Sequence, residues 1–154
     1  MKRVALVFMG FFVVIIMLAF TSKVFVSPTS EAETIVHRYI EYIRAENWNE
    51  YVELFHYDAE VKEDLLSFLL NEEKQAEKEG IHTIQDIKLV SMEATSDPEF
   101  SSKGDEVYDV LLDMKVHKPS EFYENGVSRH IFVFNRTGEG LQLETVYYKG
   151  LAQD

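Results

Sequence analysis

Apolar residues follow three different patterns along the chain. Residues 4–20 (VALVFMGFFVVIIMLAF) form an unbroken apolar run behind Lys2 and Arg3, residues 35–69 repeat apolar side chains at helical spacing, and residues 84–148 largely alternate. The first run approaches the roughly 20 residues that a helix needs to cross a bilayer. Wound as a helix, Val4, Phe8, Phe12, Ile16 and Phe20 make one continuous apolar line, and Lys23 can lay its stem along acyl chains with its ammonium in the headgroups. Lys2 and Arg3 precede the run while only Lys23 closely follows it, so the positive-inside bias places the N-terminus in the cytoplasm and the rest outside. A cleavable signal peptide has a shorter apolar stretch and an A-x-A-like site, and Ala19-Phe20-Thr21 is a poor one. The expectation is therefore an uncleaved single-pass anchor over residues 1–26, a polar linker over 27–34 and an extracytoplasmic domain over 35–150. A cleaved, secreted domain is the alternative.

Ile35, Val36, Tyr39, Ile40 and Ile43 fall on one stripe and predict a helix over 30–45, capped by Ser30, with Glu31 and Glu33 in its first turn. A short aromatic helix follows over 48–55, with Asn47 and Glu50 in capping-box positions and Trp48, Tyr51, Val52 and Phe55 on one face. A third helix over 59–79 starts at Asp58 and stops at Gly80. Its stripe of Val61, Leu65, Phe68 and Leu69 makes the first half core, while the second half (NEEKQAEKE) projects into water.

From Ile84 the period becomes two. One strand over 84–95 carries Val90, Met92 and Ala94 on one face and Ile87 and Leu89 on the other. Residues 95–106 (TSDPEFSSKGDE) read as a long, mobile loop by composition. A second strand over 107–117 alternates, with Tyr108, Val110, Leu112, Met114 and Val116 pointing one way. Asn125-Gly126 predicts a type I′ hairpin turn into a strand over 127–135, apolar on both faces at residues 131–134 and so central. Residues 137–140 (TGEG) make a tight connection into a last strand over 141–148. Helices followed by a meander predict an α+β fold: three helices on a curved antiparallel sheet of about four strands, behind a transmembrane helix.

Composition narrows the function classes. Lys and Arg number 15 against 27 Asp and Glu, the net charge is −12, and every acidic residue lies after the apolar run. Such a surface is repelled by nucleic acid and by anionic lipid, so no nucleic-acid partner is expected, and a cationic partner is allowed. No cysteine is present, which excludes disulfides, thiolate metal sites and cysteine nucleophiles. The chain has no Gly-rich phosphate loop, GxSxG elbow or basic stripe. His37, His56, His82, His117 and His130 contain no i,i+4 pair, so neither metal nor cofactor is expected.

Two constellations remain as candidate sites. His56 and Asp58 could form an acid–base pair, since an imidazole and a carboxylate can move a proton near neutral pH. Asp58 is equally placed to cap the third helix, with His56 on the surface of the turn. Tyr39, Trp48, Tyr51 and Tyr147 could line an apolar ligand pocket, although aromatics at this spacing also serve as plain core.

The stretch IVHRYIEYIRAENWNEYVELFHYDAE at residues 35–60 and the terminal meander resemble the nuclear transport factor 2-like, or cystatin-like, α+β cone superfamily. The resemblance lies in a long amphipathic helix, a turn at Asn47-Trp48, and a second helix ending Leu54-Phe55-His56-Tyr57-Asp58-Ala59. It implies a cone fold whose members include isomerases, dehydratases, transport adaptors and membrane-proximal, non-catalytic domains. In the enzymes, strands usually follow the second helix and shape the mouth of the pocket, whereas here Asp58 leads almost directly into a third helix. That departure resembles the non-catalytic, extracytoplasmic branch. The expected function is a binding domain held outside the membrane in an envelope assembly, with the bilayer and a protein as partners. A cone-fold enzyme or small-molecule carrier using His56 and Asp58 is the alternative.

Overall fold

The computed structural model describes residues 30–80, 83–119 and 124–152. The expected anchor, with Val4, Phe8, Phe12, Ile16 and Phe20, and the first three residues of the expected linker (27–29) lie outside the described residues, while the rest of that linker is the Ser30 cap and first turn of a helix. Among the described residues no helix is long and apolar enough to cross a membrane. Helices α1 (Glu31–Arg44), α2 (Trp48–Glu53) and α3 (Ala59–Glu79) precede strands β1 (Ile84–Ala94), β2 (Glu106–Val116), β3 (Gly126–Thr137) and β4 (Gly140–Leu151). The strands form one open antiparallel sheet in the order β1-β2-β3-β4, so the α+β expectation is met.

Capping sets the helix ends. The Ser30 hydroxyl accepts the Glu33 N–H at 3.1 Å, and the Asp58 carboxylate accepts the Val61 N–H at 3.0 Å. Gly80, with φ 67, ends α3 in the left-handed region. The expected capping box at Asn47 is absent, since its side chain makes no cap bond. The chain instead leaves α1 through Glu46 at φ 53, with Glu46 N–H on the Ile43 carbonyl and Asn47 N–H on that of Tyr42. That is a Schellman ending, and it has already turned the backbone before Asn47 could act as a cap. Helix α2 also stops sooner than expected. Phe55 leaves it to form a parallel bridge with Leu143, and His56 N–H donates to the Leu143 carbonyl at 2.8 Å.

The main core lies between α1 and one face of the sheet. Val36, Tyr39, Ile40 and Ile43 pack there with Val110, Leu112, Phe132, Phe134 and Leu143. Ile87, Leu89 and Met92 of β1 reach this same core, against the simple alternation of the sequence. A register shift between Leu89 and Ser91 inserts one residue, which flips the face and leaves Val90 53 % exposed. The stripe on α3 also differs from expectation: the helix has no fully buried residue, and Leu65, Leu66 and Leu69 only flank the core. Val61 and Phe68 point outward, 45 % and 57 % exposed, because α3 packs mainly on the short α2.

The opposite face of the sheet is covered by the segment that composition marks as a mobile loop. Phe100 is buried there with Val107, Ile131 and Val133, beside Tyr147, while Lys103 sits over the Phe100 and Tyr147 rings. Arg129 holds the Asp109 carboxylate through two nitrogens, and Thr95 Oγ1 donates to the same carboxylate at 3.0 Å. A half-exposed ion pair contributes under about 1 kcal/mol, whereas burying a Phe contributes about 1.5–3 kcal/mol. Phe100 is thus the principal clasp of the loop.

The hairpins differ from each other. Asn125 has no positive φ; its side chain accepts the Val116 N–H at 2.8 Å, and Gly126 opens β3 opposite Met114. The β2–β3 connection is therefore longer than a two-residue I′ turn. The β3–β4 connection is tight, with Thr137 paired to Gly140. Gly140 has φ 120, and a Cβ there would lie 2.7 Å from Glu31 Oε1, the same oxygen that accepts the Leu141 N–H at 2.8 Å. Gly140→Ala is expected to destabilise the protein by about 2 kcal/mol through backbone strain and loss of this bond, as read by urea unfolding. A change below about 0.5 kcal/mol would show that the turn relaxes freely.

Candidate functional site

The aromatic candidates separate on the two sides of the sheet. Tyr39 is buried with its ring centroid 5.0 Å from Phe132 and 5.3 Å from Tyr51, and Trp48 meets Tyr51 edge-on at 5.8 Å. Tyr51 continues to Phe55, which stacks on Tyr57 at 5.1 Å. These rings fill the space between α1, α2 and the sheet. Tyr147 lies on the far face against Phe100. Three of the four candidates thus meet inside the core and the fourth does not join them.

His56 and Asp58 are both exposed. His56 Nδ1 is 3.6 Å from Glu144 Oε2, with its side chain 56 % exposed. Asp58 is committed to the α3 N-cap. The residue between them, Tyr57, turns inward, and burial is the main cause that raises its phenol above the ordinary value. Alternation along this extended stretch thus sends the aromatic to the core and the two polar groups to water. His37 lies 3.9 Å from Glu33 and His117 is beside Gln85, so the described histidines do not converge. Among the described residues no group of three or more metal-binding side chains is formed.

Two open grooves lie beside the helices. One of about 460 Å³ runs between α1 and β1, past Ser30, His37, Val90 and Met92. The other, about 410 Å³, separates α2 from the start of α3, past Val52, Tyr57 and Leu66, with Lys62 bridging to Glu53 at 2.7 Å. Neither contains the His56–Asp58 pair.

One polar group escaped the sequence reasoning. His130 is buried on β3, with Nε2 2.9 Å from Ser128 Oγ, and Ser128 donates onward to the Leu112 carbonyl at 3.3 Å. Tyr148 lies beside His130 at 5.4 Å between ring centroids and donates to Glu124. Burial drives the Tyr148 phenol up to about 12, helped by Glu124. The only sequence signal was the two-residue spacing of Ser128 and His130, which puts both on the helix-facing side. Ser128 is fully buried, so the pair has no route to a substrate.

No family model, curated protein or solved structure matches the chain.

Burial lowers the His130 pKa from 6.5 to about 4, so the folded state excludes a proton that the unfolded chain accepts. His130 therefore contributes full stability above pH 6.5 and loses it as pH falls from 6.5 toward 4. The loss should reach about 3 kcal/mol at the acid end. In urea unfolding at pH 7 and pH 5, His130→Gln should lower the stability at pH 7 and remove most of this dependence; an unchanged slope would refute the assignment. Asp58→Ala should cost about 1 kcal/mol of stability, and Asp58→Ser, which can still cap, should restore most of it.

Proposed function

We propose that the chain is a membrane-anchored, extracytoplasmic, non-catalytic interaction domain that works within an envelope assembly. The observation that carries this is the distribution of its chemistry: the aromatic candidates pack into the apolar clusters on the two faces of the sheet, His56 and Asp58 face water, and the large exposed apolar side chains lie on α3, at the β1 bulge and at Leu151 on the end of β4. A catalyst needs groups converging on a sheltered reacting atom, while an interaction domain needs exposed anchors on a rigid frame. The apolar run at 4–20 behind Lys2 and Arg3 supports the location, and α1 begins after a short linker. That spacing would hold the domain within a few tens of ångströms of the bilayer. The likeness to non-catalytic members of the α+β cone superfamily is part of the same proposal.

The test is chemical crosslinking of intact cells, followed by membrane solubilisation and purification of the full chain. A reproducible, stoichiometric protein partner is expected; repeated recovery of the chain alone would overturn the reading. Mass spectrometry of the mature N-terminus should find residues 4–20 retained, and a start at Ser22 or later would replace the anchored domain with a secreted one.

A further inference from the structure

Helix α3 presents an apolar ridge that the domain does not use. Val61 and Phe68 are one heptad apart and therefore share a face, with half-buried Leu65 between them. A phenylalanine 57 % exposed on a regular helix leaves apolar surface in water that an occupant would bury. One flank of the ridge is acidic. Glu60, Asp64 and Glu72 lie within a turn of Val61 or Phe68, and among the described residues none of them has a salt-bridge partner. Lys62, the nearest cation on the helix, is turned to the other flank, where it binds Glu53 at 2.7 Å.

We infer that the α3 ridge docks a basic amphipathic helix from a partner protein. This inference rests on the reading of the chain as an interaction domain. Phe68 is the central anchor, Val61 and Leu65 extend the contact by one turn, and Glu60, Asp64 and Glu72 pair with Lys or Arg beside the partner's apolar stripe. Charge selects this occupant over the others. A second copy would bring the same unpaired carboxylates together, and an anionic lipid surface would repel them.

The experiment uses the full chain in zwitterionic lipid nanodiscs and a fluorescent Leu/Lys amphipathic helical peptide, with empty nanodiscs as the blank. Anisotropy should show saturable binding in excess of the blank that weakens as salt rises. The double variant V61S/F68S, which retains every charge, should weaken binding at least tenfold while leaving thermal unfolding nearly unchanged, because both side chains are exposed. E60Q/D64Q/E72Q should weaken it similarly at low salt and abolish the salt dependence. Equal binding by V61S/F68S, equal binding of a Leu/Glu peptide, or no binding above the blank would overturn the proposal. So would self-association of the wild type in sedimentation that V61S/F68S abolishes, since it would assign the ridge to a second copy. Failure of the peptide titration leaves the crosslinking result untouched, so the two readings fail separately.

Discussion

The four consecutive residues Ile131, Phe132, Val133 and Phe134 of β3 are all fully buried, two toward each face of the sheet. A strand apolar on both sides cannot rest at an open surface, so both faces of this small sheet must be covered. One face has α1 and α2, and their aromatic chain packs onto Phe132. Among the described residues no helix lies on the other face, and the segment between β1 and β2 covers it through Phe100. Truncating Phe132 or Phe134 to Ala would cost about 3–5 kcal/mol each, more than any surface ion pair here could supply. The central strand therefore dictates the cover on both sides.

The same economy governs the edges. An open sheet has two unpaired strand edges, which invite association with other chains. On β1, Arg44 donates to the Ile87 carbonyl and the Asp86 carboxylate accepts the Ile87 N–H, so the edge is blocked at Ile87. The β1 bulge breaks the regular pairing surface a little further along. On β4, Phe55 and His56 occupy the Leu143 position. At the start of α1, Glu31 joins the helix to the β3–β4 turn through Leu141 and also meets Arg136 at 3.4 Å.

With the core filled and the edges interrupted in this way, the remaining chemistry is on the outside. The His130–Ser128 pair is satisfied internally and acts on stability, not on a substrate. Helix α3 differs from the other elements because it is long yet packs chiefly against a six-residue helix. A 21-residue helix attached along so little of its length leaves its flank exposed, and that geometry makes the Val61–Phe68 ridge available.

Much of the fold was legible in the chain. Local, short-range physics set the α1 stripe, the Ser30 and Asp58 caps, the Gly80 stop, the alternation of β2 and the double-sided burial of β3. Each depends on residues within a few positions of one another. Long-range contacts decided the rest. The face assignment of β1 turned on a bulge that only pairing with β2 defines, and alternation alone gave the wrong parity for Met92. Phe100 could not be distinguished from a loop residue until the exposed side of β3 needed a cover. Val61 and Phe68 carry the periodicity of core residues and became surface residues because α3 has no broad partner within the described chain. His56 and Asp58 lay close enough in sequence to suggest a pair, but adjacency along an extended chain does not make two side chains converge. Periodicity determines which face of an element is apolar; only the tertiary arrangement decides whether anything lies against that face.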